Sequence, residues 1–192
     1  QQAGAGAICI CAAQIVLLLA AATATPSPRS VLLWTGNPFG WPKGGPVNDT
    51  ALAEFLNATA LLRDVVDVVS PVSFYLADPA TAKTAGNGGL VLMDGAETII
   101  RGLQKQGFQV VPLIGDLPTG HKTEWYRYYW GVGRQAFRMS CVNATNQLDL
   151  DGLNFDFEPN DCNKLPSGRA CNDQDGAAYG SLLTDVKADL VK

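Results

Sequence analysis

Apolar and polar positions along the chain alternate between two periods, and the switches between them mark its elements. Val31 to Trp34 is a short apolar run stopped by Thr35-Gly36-Asn37-Pro38, which predicts a buried strand. Ala51, Leu52, Phe55, Leu56 and Ala60 recur at helical spacing, so a helix is predicted over about 51–62, with Asn48 to Thr50 able to cap it. Val65 to Val69 is valine-rich, pauses at Ser70-Pro71 and resumes from Val72 to Leu76, which predicts a second strand. Asp78 to Asn87, rich in Pro, Ala, Thr and Gly, reads as loop. A helix is predicted over about 95–106 and ends at Gly107; Phe108 to Ile114 then reads as a third strand, stopped by Gly115-Asp116. Thr123 can cap a helix running to about Val142, and a last helix is predicted over about 177–192. Between those two helices Leu153, Phe155 and Phe157 alternate strictly with Asn154, Asp156 and Glu158, which predicts a strand with one apolar face and one acidic face. Pro159 ends its ladder.

Strands that are continuous apolar runs, alternating with helices, imply parallel βαβ units with helices covering the sheet. A doubly wound sheet would carry a Gly-rich phosphate turn after its first strand, and Thr35 to Gly40 lacks that spacing. A (β/α)8 barrel places catalytic groups at the C-terminal ends of its strands, where Glu158 falls. The fold class expected is therefore α/β, the N-terminal half of a (β/α)8 TIM barrel with about four βα units. A whole barrel needs about 250 residues, and the chain has 192.

Ala7 to Ala24 is almost continuously apolar and ends at Ala22-Thr23-Ala24, followed by Thr25-Pro26-Ser27-Pro28. Residues 1–24 are read as a signal peptide that lacks its own beginning, with a signal anchor as the competing reading. Three N-x-T sequons, at Asn48, Asn57 and Asn143, agree with passage through the secretory route. The expected location is secreted, or the lysosomal or vacuolar lumen, with no membrane attachment after cleavage. Of the mature cysteines, Cys162 and Cys171 share one polar segment and can staple it. Cys141 is left over, which reads as a missing partner.

Composition narrows the function classes. Net charge is -4 with no Lys/Arg-rich run, which argues against a nucleic-acid partner. His121 is the only histidine and has no companions at metal spacing, so no metal site and no cofactor are expected. Gln147, Asp149, Asp151, Gly152 and Glu158 fall at EF-hand positions, but Gln replaces the first ligand and Pro159 blocks the exiting helix. Trp34 and Trp41, at and after the end of the first strand, are candidate substrate contacts, because aromatic faces stack on sugar rings; ordinary packing is the alternative. Trp125, Tyr126, Tyr128, Tyr129 and Trp130 form i,i+4 pairs, which favours helix-to-sheet packing over a sugar platform.

Two carboxylates on one strand face repel, so at least one should be pushed to a higher pKa, as a general acid needs. Asp151-Gly152-Leu153-Asn154-Phe155-Asp156-Phe157-Glu158 resembles the D-G-x-D-x-D-x-E signature on the fourth strand of family 18 glycoside hydrolases, the chitinase-like barrels. With Asn at 154 it is most similar to the di-N-acetylchitobiase branch. Val68 to Pro71 resembles the second strand of such barrels, and Val110 to Leu117 the third strand of that branch. The resemblance covers about residues 31–192, which would make residues 25–192 a partial family 18 catalytic domain.

That resemblance implies a hydrolase acting on oligosaccharides that contain β-1,4-linked N-acetylglucosamine, working as a monomer. It implies Glu158 as the general acid. Asp156 would hold the substrate's N-acetyl group so that its carbonyl oxygen attacks the anomeric carbon, a substrate-assisted route. Two features depart from the family pattern. Asn154 stands where many members have Asp, and its amide is expected to hydrogen-bond ionised Asp156. Leu113-Ile114-Gly115-Asp116 stands in place of a Ser-x-Gly-Gly on the third strand. The later strands that give such barrels a tyrosine and a tryptophan floor are expected to be missing, leaving this length of chain inactive. A lectin-like protein on the same scaffold is the alternative, disfavoured because Glu158 is retained.

Overall fold

The computed structural model describes residues 30–40, 45–86, 88–115, 123–157 and 171–191. The expected signal peptide, Trp41, Asp116, His121, Glu158 and Cys162 lie outside the described residues.

Four parallel strand positions follow one another in chain order. Strand β1 (Leu32–Thr35) leads to helix α1 (Asp49–Ala60), which Asn48 caps by accepting the Ala51 N–H at 3.0 Å. Strand β2 (Val68–Leu76) is continuous across the expected pause at Pro71. Beyond it stand α2 (Pro79–Ala85), β3 (Leu90–Leu92) and α3 (Ala96–Lys105). The third position is split into β4 (Gln109–Val110) and β5 (Leu113–Gly115). Helices α4 (Thr123–Trp130) and α5 (Arg134–Leu148) precede β6 (Asn154–Phe155), and α6 (Asp173–Leu190) closes the order. β1, β2, β5 and β6 are neighbours in that sequence and pair in parallel.

Several expectations need correcting. The segment 78–87 is not simply loop. The Asp78 carboxylate accepts the Ala80 and Thr81 N–H groups, Pro79 occupies the first turn, and Gly86 ends the helix at φ 65°. β3 was not expected; it runs antiparallel along the C-terminal half of β2, beyond the reach of β1. Gly89 enters it at φ 78°, where a Cβ would collide with the Tyr129 hydroxyl. The expected helix over 123–142 is two helices, parted at Gly131-Val132-Gly133. The last helix starts earlier than expected, at a capping box in which Asn172 and Asp175 exchange side-chain and backbone hydrogen bonds. The 152–158 strand is assigned only over two residues, although the Asp156 N–H still reaches the Ile114 carbonyl at 3.1 Å.

The core lies between sheet and helices. Val69, Phe74, Val110 and Ile114 meet Ile99, Ile100, Leu103, Tyr129 and Phe137 there. Tyr126, Tyr129 and Trp130 are buried, so the α4 aromatics pack the helix layer as the i,i+4 pairing predicts. Cys141 is a fully buried free thiol in the same cluster. Packing therefore accounts for it without the missing disulfide partner inferred from its odd number. Cys171 is half of a disulfide, as the stapling reading requires of it.

Candidate active site

The opposite face of the sheet carries the candidate chemistry. Residues alternate between faces along a strand, so Val69, Pro71, Val110, Ile114 and Phe155 lie on the helix side while Val68, Ser70, Val72, Leu113 and Asn154 share the other. Phe155 and Phe157 pack as expected: Phe157 lies 5.4 Å from Tyr126, 5.5 Å from Tyr179 and 6.3 Å from Phe137, centre to centre. These contacts fix which way the strand faces, and the polar residues between them turn to the other side.

Asp151, the first acid of the octapeptide, is a clasp. Its carboxylate accepts the Val110 N–H at 2.8 Å, and its own N–H reaches the Val110 carbonyl at 3.1 Å. That double link sets the register of β6 against β4. A Cβ added at Gly152 would meet only Val111, at an ordinary 3.7 Å, so that position leaves room for a side chain. Gln147 lies inside α5, where its carbonyl accepts from Arg101, and Asp149 ends that helix at φ 53°. An EF-hand loop cannot begin there. Among the described residues no three acidic, His or Cys side chains are grouped to hold a metal ion.

Asn154 and Asp156 are both half-buried on the non-helix face. The Asn154 amide does not bond Asp156 as expected; Nδ2 donates to Ser70 Oγ on β2 at 3.1 Å. β2 and β6 are separated by β5, so in a flat sheet these residues would stand about 10 Å apart or more. A direct bond between them means that the sheet curls toward this face. The face that carries Asp156 is therefore concave.

A register shift between Val72 and Phe74 adds one residue to β2. Phe74 and Leu76 are thereby turned into the helix-side core, and Tyr75 is turned to the face of Asp156. Tyr75 is in register with Gly115, and Gly115 follows directly on the Ile114↔Phe155 pair. Tyr75 and Asp156 thus flank a residue without a side chain at the C-terminal edge of the sheet. Trp34, in register with Ser70 and 43% exposed, lies on the same face but deeper. Trp41 and Glu158, the other two expected site residues, are not described.

The rim is tied down where α4 and α6 begin. Thr123 Oγ1 and Cys171 Sγ are 3.4 Å apart. One turn further on, Arg127 binds Asp175, whose carboxyl the guanidinium holds below the usual carboxylate range despite burial.

Neither Ser70 nor Tyr75 was expected. A serine interrupting a valine run was the visible signal for the first. The second was hidden by the inserted residue, which alternation counted from Val68 places on the wrong face.

No family model matches the chain, and no curated protein matches it. Solved structures do. The spore cortex-lytic enzyme SleL of Bacillus cereus is 14% identical with TM-score 0.56, over 84% of this chain and 31% of its own. A chitinase from Chromobacterium violaceum is 12% identical with TM-score 0.55, over 84% and 42%. A Group II chitinase catalytic domain from Ostrinia furnacalis, in complex with an N-acetylchitooligosaccharide, is 13% identical with TM-score 0.57, over 84% and 40%. The fold is part of a chitinase-type barrel. The chain spans less than half the length of these structures, and at such identity the likeness concerns architecture alone.

Proposed function

We propose that the full protein hydrolyses oligosaccharides of β-1,4-linked N-acetylglucosamine, chitin oligomers or the chitobiose core of N-glycans. The observation that carries this reading is Asp156 on the concave face of a chitinase-type sheet, at the strand edge, in a run that continues to Glu158. In this reading Glu158 donates a proton to the glycosidic oxygen as the bond breaks. Asp156 accepts a hydrogen bond from the substrate's acetamido N–H, turning the acetamido oxygen toward the anomeric carbon. That oxygen closes an oxazolinium ring, which water opens with retention at the anomeric centre. The protein supplies orientation and a proton, and the substrate supplies the nucleophile. Trp34 offers an aromatic surface to a sugar ring from deeper in the same face.

Location in the secretory route and similarity to the chitobiase branch belong to the same proposal. Asn48, Asn57 and Asn143 are all exposed, which leaves each able to carry a glycan. Turnover of a fluorogenic chitobioside by the full-length protein tests the reading. Glu158→Gln is expected to lower kcat by a factor of about 10² to 10⁴. Sugar binding without turnover, unchanged by Glu158→Gln, would replace the hydrolase with a lectin.

A further inference from the structure

Ser70 is a polar residue where packing alone calls for an apolar one. Its neighbours on the same face of β2 are Val68 and Val72, and its own exposure is 0%. A hydroxyl buried so completely needs a hydrogen-bond partner, and Ser70 has one, the Asn154 amide at 3.1 Å. The bond joins residues 84 apart in sequence and passes over β5 on the concave side. Asn154 in turn lies two residues before Asp156 on one strand, so both side chains stand on the same face in adjacent rows.

We propose that Ser70 is a positioning residue of this site, acting on Asp156 through Asn154. With its nitrogen end held by Ser70, the amide keeps one orientation and is withheld from the carboxylate of the next row. It also ties the site strand to β2 from inside the curl of the sheet. The Asp151 clasp works at the other end of the octapeptide, on the backbone of β4. Between the two, the strand is fixed both before and at the row preceding Asp156. A side chain that must hold an acetamido group in one attitude gains from a neighbour that cannot rotate into it. The catalytic part of this inference rests on the hydrolase reading; the held amide does not.

Two measurements on the full-length protein separate these claims. The first follows the Asn154 side-chain amide by ¹⁵N NMR, its signals assigned from their loss in Asn154→Asp. Solvent exchange of these protons is expected to quicken by about tenfold or more in Ser70→Ala and to stay near wild type in Ser70→Thr, which keeps the hydroxyl. The second compares hydrolysis of a chitobioside by the same folded variants. Ser70→Ala is expected to lose about tenfold or more in kcat with KM within about twofold, and Ser70→Thr to recover most of it. If wild type turns nothing over, the hydrolase reading falls and the amide exchange still decides whether Ser70 holds Asn154. An Asn154 amide indifferent to Ser70→Ala overturns the proposal. So does full kcat in that variant, or a Ser70→Thr as impaired as Ser70→Ala.

Discussion

Arg127 grips Asp175 through two parallel hydrogen bonds, Nε to Oδ1 and Nη2 to Oδ2, each 2.7 Å. Asp175 is 7% exposed and lies in the first turn of α6, so this one pair joins α4 to the helix that follows the site strand. Its backbone partner Asn172 also holds the carboxyl in its charged form.

Acid should release that link. The Asp175 carboxyl titrates below its value in the unfolded chain, which is about 3.9. A group depressed on folding stabilises the protein above the unfolded pKa and loses that contribution as pH falls through the folded one. Asp175→Asn is expected to cost about 1–3 kcal/mol at pH 7. Thermal melts from pH 7 to pH 3 should show wild type and variant parted by a constant gap down to about pH 5, narrowing below pH 4. A gap as wide at pH 3 as at pH 7 would remove Asp175 from the account of acid stability.

Cys141 should be silent to thiol reagents. It is 0% exposed and burial pushes its pKa well above that of a free thiol, so almost no thiolate is present at pH 8. Modification by a disulfide reagent is expected only with unfolding, at the rate of unfolding. Cys141→Ser, which buries a hydroxyl among Phe137 and its neighbours, should cost about 1–3 kcal/mol, and Cys141→Ala less. Fast labelling at Cys141 itself, located by peptide mapping of the native protein, would place this thiol elsewhere.

Tyr75 should affect substrate binding more than chemistry. It shares the face of Asp156 across Gly115 and stays outside the helix-side core. Tyr75→Ala is expected to raise KM for chitooligosaccharides about tenfold, with kcat within about threefold, and Tyr75→Phe to lie between. Steady-state kinetics check this; an unchanged KM in Tyr75→Ala would leave the residue a part of the wall only.

The parallel order of four strand positions was legible because apolar runs and helical spacing are local signals. Only the middle of the candidate strand was legible for the same reason: the alternation from Leu153 to Phe157 marks it, and Asn154–Phe155 pair with β5. What escaped was set by contacts between distant segments. α2 is held by one cap at Asp78, in a stretch whose composition suits a loop equally well. β3 depends on free edge left on β2 past the end of β1, which no local pattern announces. Asn154 and Ser70 form their bond only because the sheet curls, so reading Asn154 with its sequence neighbour Asp156 gave the wrong partner.

The inserted residue near Ser73 has a consequence for anyone who alters this protein. It acts as a parity switch: every side chain after it on β2 faces the side opposite to the one simple counting assigns. Forcing Ser73 into regular register opposite Ile114 would exchange Phe74 and Tyr75, sending a phenol hydroxyl into the core and a bare ring to the mouth, whereas deleting Ser73 would leave both facing as they do, because Phe74 would then follow Val72 directly. A β2 transplanted from a relative without that insertion would keep both faces only where the alignment leaves a gap at Ser73, however similar the residues looked.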